Sequence, residues 1–136
     1  MSTTQNLAYA VVQLGHNFGA VAVVGGSFAA LKFRGVETRK IFAWLALSGW
    51  ATQAVSGAAF GAVSYYFYHQ FPDISGIAVM ALAIKMLCAA MGILLLATYL
   101  FRSSVWTEEK MNIVWIISSI LAATALSAAA FLRWFS

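Results

Sequence analysis

The sequence predicts an all-α integral membrane protein: an up-and-down four-helix bundle with both termini on the outer, periplasmic side. Three observations predict it. Hydrophobic residues make up 62% of the 136-residue chain and charged residues only 9%, a balance foreign to a soluble domain of this size. Four apolar runs, at residues 7–31, 41–68, 76–101 and 112–132, each reach the ~20 residues an α-helix needs to cross a hydrocarbon core. Nearly all the charge is gathered in the links between those runs. One domain, residues 1–136, accounts for the whole length.

The first run contains "VVQLGHNFGAVAVVGG", so Gln13, His16 and Asn17 fall inside a membrane span. No Lys or Arg precedes Lys32, so the basic start of a cleavable signal peptide is not expected. The first link, "KFRGVETRK", carries Lys32, Arg34, Arg39 and Lys40. The second run holds Gly49, Gln53, Ser56, Gly57, Phe60 and Ser64 at helical spacings, and its Gly57-x-x-x-Gly61 pair allows a close backbone approach or leaves room for a flat ligand. "HQFPDIS" follows, with the only proline. The third run places Lys85 among Ala81, Cys88, Ala89 and Gly92. In the third link, "RSSVWTEEK", Thr107 followed by Glu108 and Glu109 predicts an N-cap with acids in the first turn. The fourth run includes the alanine-rich "ILAATALSAAAF".

Short links make neighbouring helices antiparallel. The first and third links hold the basic residues, and the other side has only His69, Asp73 and Arg133. The positive-inside rule therefore places those two links in the cytoplasm and both termini outside. Tyr9, Tyr65, Tyr66, Tyr68 and Trp134 would mark the outer interface, and Trp44, Tyr99 and Trp106 the inner one.

Residue number converts to depth at ~1.5 Å per residue, which puts His16 ~14 Å and Lys85 ~12 Å below the outer ends of their helices. On the same count Gly57, Gly61 and Thr124 fall in that layer. Tyr9, Gln13, His16, Ala20 and Ser27 follow helical spacings and are expected to face the interior. A mid-membrane lysine costs ~3 kcal/mol or more, so it is paired, neutral or functional. At ~12 Å depth Lys85 is too deep to snorkel, and His16 or Asn17 is its expected partner across the helices.

Several functions are excluded. The basic residues form no stripe for nucleic acid. All four acids lie in links, so no Ser-His-Asp, Cys-His or paired-carboxylate set can be assembled. No Met-x-x-Met or Cys-x-x-Cys copper set exists. The single Cys88 cannot form an internal disulfide. Whether the protein is an enzyme stays open.

His16 in the first run, the following Gly25-Gly26 and Lys85 opening "KMLCAAMG" resemble the CopD-like group of small bacterial membrane proteins. The HemJ-type membrane proteins are similar in layout, with a histidine in the first span and a lysine in the third. The resemblance implies the bacterial inner membrane and a bundle that handles a metal or haem, with His16 and Lys85 as the transferable positions.

Two classes of function follow. In the first, haem b or a metal is bound in the outer half of the membrane, with His16 as axial or metal ligand and Lys85, Asn17 and Gln13 completing the cofactor site. The other histidine, His69, would have to lie ~14 Å deeper than helix geometry places it to serve as a second ligand. In the second, the chain is an accessory subunit of a larger respiratory or metalloenzyme complex, or a homo-oligomer. Gln13, His16, Asn17 and Lys85 then form a structural polar lock, and helix 4 supplies a small-residue packing face. A third reading, a proton path, needs a polar route to both sides, and the inner half offers little beyond Ser27, Ser48 and Gln53.

Overall fold

The computed structural model describes residues 2–136. Four helices form: α1 (Thr3–Lys32), α2 (Val36–Tyr68), α3 (Ile77–Arg102) and α4 (Glu108–Phe135), with a short 3-10 turn at Ser103–Val105. Local chemistry sets the ends. The Ser2 hydroxyl accepts from the Gln5 amide at 3.2 Å and starts α1. The Thr107 hydroxyl accepts from the Lys110 amide at 3.3 Å, with Glu108 and Glu109 in the first turn of α4, as the sequence predicts. His69 closes α2 in the left-handed region at φ 54°, and the loop carrying Pro72 is tied back by Ser64, whose hydroxyl donates to the Gln70 carbonyl at 3.0 Å.

Three of the four helices run longer than the apolar runs, and α3 is shifted by one residue. Most notably, α2 begins at Val36 rather than Ile41, so the first link shrinks to three residues. Glu37 sits in the first turn and pairs with Lys40 at 3.1 Å, a helix-compatible i,i+3 arrangement. Charge alone therefore misplaces this boundary.

Each helix packs on the next in the chain, and α1 also packs on α4. The α1–α2 contact is the closest. A Cβ added at Gly49 would lie 2.8 Å from the Gly19 carbonyl oxygen and the Val23 nitrogen, and one at Gly26 would lie 3.2 Å from the Phe42 carbonyl. Glycine is required there because the two backbones touch. Gly57, by contrast, meets nothing within 4 Å, and Gly61 meets only the Phe71 ring. The close approach allowed at Gly57 and Gly61 is thus corrected: the crossing lies two turns deeper. On the α2–α3 side, a Cβ at Gly92 would fall inside the Trp50 indole.

Trp50, Leu96, Tyr99, Trp115 and a set of alanines (Ala30, Ala43, Ala46, Ala122) form the core. Tyr99 packs edge-on to Trp115 at 5.2 Å and is buried, so it does not mark an interface as its position suggested. Outside, mid-helix Leu14, Phe18 and Val21 on α1 and Leu87 and Leu94 on α3 are exposed. An apolar surface this continuous is suited to lipid. Three helices, α1, α3 and α4, are long and apolar enough to cross a membrane. On composition α2 is not among them. At 33 residues it is long enough, but Ser48, Thr52, Gln53, Ser56 and Ser64 dilute its apolar character.

Candidate functional site

His16 sits midway along α1 and Lys85 a third of the way along α3, and the fold brings them together: Lys85 Nζ lies 2.7 Å from His16 Nε2. The other ring nitrogen, Nδ1, lies 2.7 Å from Ser56 Oγ on α2. The direction of each bond follows by counting protons. A hydroxyl has one, and that of Ser56 is directed at the Thr52 carbonyl at 2.5 Å. Ser56 therefore accepts from His16, which must carry its proton on Nδ1, and Nε2 accepts from Lys85. The chain of donation runs Lys85 to His16 to Ser56 to the Thr52 carbonyl. Gln53, one turn away, donates from Nε2 to the His16 carbonyl and fixes α1 against α2. The Phe60 ring meets the imidazole edge-on at 5.7 Å.

Gln13 and Asn17 behave differently from the expectation. Both are exposed, and Gln13 Nε2 donates to Asn17 Oδ1 at 2.7 Å along the helix. The i,i+4 spacing that suggested one inward face instead lets the two amides satisfy each other. Asn17 still borders the interior cavity; Gln13 does not. Thr124, placed in the same layer by depth, faces outward. His69 caps α2 against the Tyr65 ring and is no partner of His16.

Beside the pair lies a cavity of ≈130 Å³ walled by all four helices: His16, Asn17 and Ala20 from α1, Trp50 and Gln53 from α2, Lys85 from α3, and Ala122, Ala125, Leu126 and Ala129 from α4. Its size and wiring test the cofactor expectation. At ~30 Å³ per water it holds about four waters, well under the ~300–1,000 Å³ of ordinary cofactor pockets. A porphyrin does not fit. A metal does not fit the pair either: two nitrogens bound at ~2.0–2.1 Å to one tetrahedral ion stand more than ~3 Å apart, whereas these are 2.7 Å apart and share a proton. Among the described residues no three His, Cys, Asp or Glu side chains gather to hold an ion.

Two polar clusters nearer the other end of the helices were not found from the sequence. Ser27 and Ser118 share a buried hydrogen bond at 2.8 Å between α1 and α4. Arg39 is 1% exposed; its Nε donates to the Ala30 carbonyl at 3.0 Å and its Nη2 to Asn112 Oδ1 at 2.7 Å, while Nη1 has no partner among the described residues. The signal existed: Arg39, Ala43, Ala46, Trp50 and Gln53 follow one helical stripe, all of them buried.

Comparison of the chain with protein-family models, curated proteins and solved structures finds no match.

Proposed function

We propose that the chain is a multi-pass protein of the bacterial inner membrane, an up-and-down four-helix bundle with both termini periplasmic, whose function is to bind a small polar ligand at the His16–Lys85 pair. The observation that carries this reading is the cavity beside that pair, with His16, Asn17, Gln53 and Lys85 in its wall. A purely structural lock has no use for space next to its costliest group, since a charged side chain at mid-membrane is stabilised by close packing and direct partners. The resemblance to the CopD-like group supports the bacterial membrane setting. Its metal or haem is not carried over, because the cavity is too small and the ring nitrogens of His16 are both engaged.

Reachability of Lys85 tests the proposal. In a Cys88→Ser background, the Lys85→Cys variant is expected to react with a small methanethiosulfonate reagent in membranes and to resist a bulky maleimide. No reaction with either would make the pair a closed lock.

The second reading, an accessory subunit, is favoured by a different feature. A shallow outward groove of ≈400 Å³ runs between α1 and α2, lined by Val11, Gly15, Ala51, Val55 and Ala59. Small residues on an outer face suit a helix from another chain. On α4 the alanines divide: Ala122, Ala125 and Ala128 are buried within the chain, whereas Ala123 and Ala130 are exposed. Co-purification of a membrane partner that is lost on Val55→Trp would support this reading over the first.

A further inference from the structure

The cavity wall carries a cation and no carboxylate. Lys85 donates one N–H to His16 Nε2. As an ammonium it has three, and its remaining donors have no acceptor among the described residues. Asn17 uses its Oδ1 to accept from Gln13, which leaves its amide NH₂ as a donor beside the same space. On the acceptor side, the His16 Nε2 lone pair is already taken, and the Gln53 amide oxygen is the neutral acceptor left in the wall. No carboxylate belongs to the wall, and the four acids of the chain, Glu37, Asp73, Glu108 and Glu109, lie at helix starts or in a loop.

A cation held this deep without a carboxylate is uncompensated, and an uncompensated buried charge is strongly unfavourable. The ammonium donors of Lys85, beside a cavity that holds no carboxylate, are satisfied and neutralised by an anion.

We propose that the cavity beside His16 and Lys85 binds a small monovalent anion, of nitrate, halide or formate size, as the counter-ion of Lys85. This rests on the ligand-binding reading given above and names the class of its ligand. The size limit comes from the cavity, which has room for about four waters and so for one such anion with a water or two. His16 has a positioning role: its Nε2 accepts one N–H of Lys85 and orients the ammonium toward the space.

Thermal unfolding of the purified full-length protein in a zwitterionic detergent tests this, at constant ionic strength with gluconate progressively replaced by nitrate, bromide or formate. The expected result is a saturable rise in Tm of a few degrees with each small anion, because a ligand that binds only the folded state stabilises it by mass action. The rise should persist in Lys85→Arg, Lys110→Met and Arg133→Met and disappear in Lys85→Met. A parallel titration with octanoate separates a free anion from the carboxylate of an acyl chain entering from the lipid; saturation by either keeps the anion site. Where Lys85→Met does not fold, wild type and Lys85→Arg decide. A Tm that does not respond, or that changes linearly without saturation, overturns the proposal, as does a saturable rise retained in Lys85→Met. Should the anion response be absent while the Lys85→Cys variant still reacts with the small thiol reagent, the cavity remains a ligand site and only the anion class falls.

Discussion

At the scale of single residues, Arg39 makes the clearest energetic statement. Its guanidinium is buried against a helix-end carbonyl and an asparagine, with one nitrogen unpartnered and no carboxylate in contact. Removing a partner from such a group costs its full desolvation, whereas replacing the whole set with apolar atoms is close to neutral. Asn112→Leu is therefore expected to destabilise the protein by ~1–3 kcal/mol, and the same change in an Arg39→Met background by much less. Detergent-titration unfolding of the four proteins in the cycle measures the coupling; additive effects would show that the contact contributes nothing of its own. Ser27→Ala removes a neutral interhelical bond to Ser118 and should cost only about 0.6 kcal/mol, the average for such bonds in membranes. The haem question belongs to this scale too. The purified protein is expected to be colourless, and a Soret band that His16→Ala abolishes would refute the fit argument made from the cavity and the wiring of His16.

Among elements, the α1–α2 crossing separates two kinds of glycine. Gly49 has backbone atoms of α1 within 2.8 Å of where its Cβ would be, and Gly57 has open space. Gly49→Val is expected to destabilise by ~1–3 kcal/mol through overpacking, probed by unfolding in detergent. Gly57→Val should stay within ~0.5 kcal/mol, as surface changes do; equal costs would move the crossing. The same contrast shows what was legible in the sequence and what was not. The four helices, the Thr107 cap and the meeting of His16 with Lys85 follow from apolar runs, cap chemistry and depth counting. The rotation of each helix is harder, because lipid and interior are both apolar and hydrophobicity does not distinguish them. Only polar and small residues mark a face. Where they occupy more than one, as with Gln13 and Asn17 beside His16, or Gly57 beside Ser56, the pattern leaves the choice open and packing decides it. Arg39 was hidden for the opposite reason: it belongs to a charged link by composition and to the α2 core stripe by register.

For the whole molecule, the question is whether α2 crosses the membrane with the other three helices. Its own composition does not require it to, since only α1, α3 and α4 pass on length and hydropathy together. Packing argues that it does. Several of the polar side chains that lower its hydropathy point inward: Gln53 reaches the His16 carbonyl, Ser56 meets the His16 ring, and Arg39 spans to α1 and α4; the exposed Ser48 and Thr52 hydroxyls donate to carbonyls of their own helix. Its outward residues, such as Ile41, Leu45 and Val55, are apolar and exposed. A helix so arranged satisfies its polar groups internally, as the hydrocarbon core demands. If α2 crosses, its two ends lie on opposite sides, and basic residues choose which is cytoplasmic. Lys32, Arg34, Arg39 and Lys40 surround the α1–α2 link, whereas the α2–α3 loop has one acid and no Lys or Arg. The pairing of Lys40 with Glu37 changes little, because acids weigh lightly in orientation. Thr38 and Ser75 are exposed at the two ends. In a Cys88→Ser background, the Ser75→Cys variant is expected to react with a membrane-impermeant maleimide added to intact cells. The Thr38→Cys variant should react only after the inner membrane is permeabilised. Reaction of both from outside, or of neither, would place the two ends of α2 on one side and remove it from the set of spans. The reverse pattern would keep the four crossings and invert the protein.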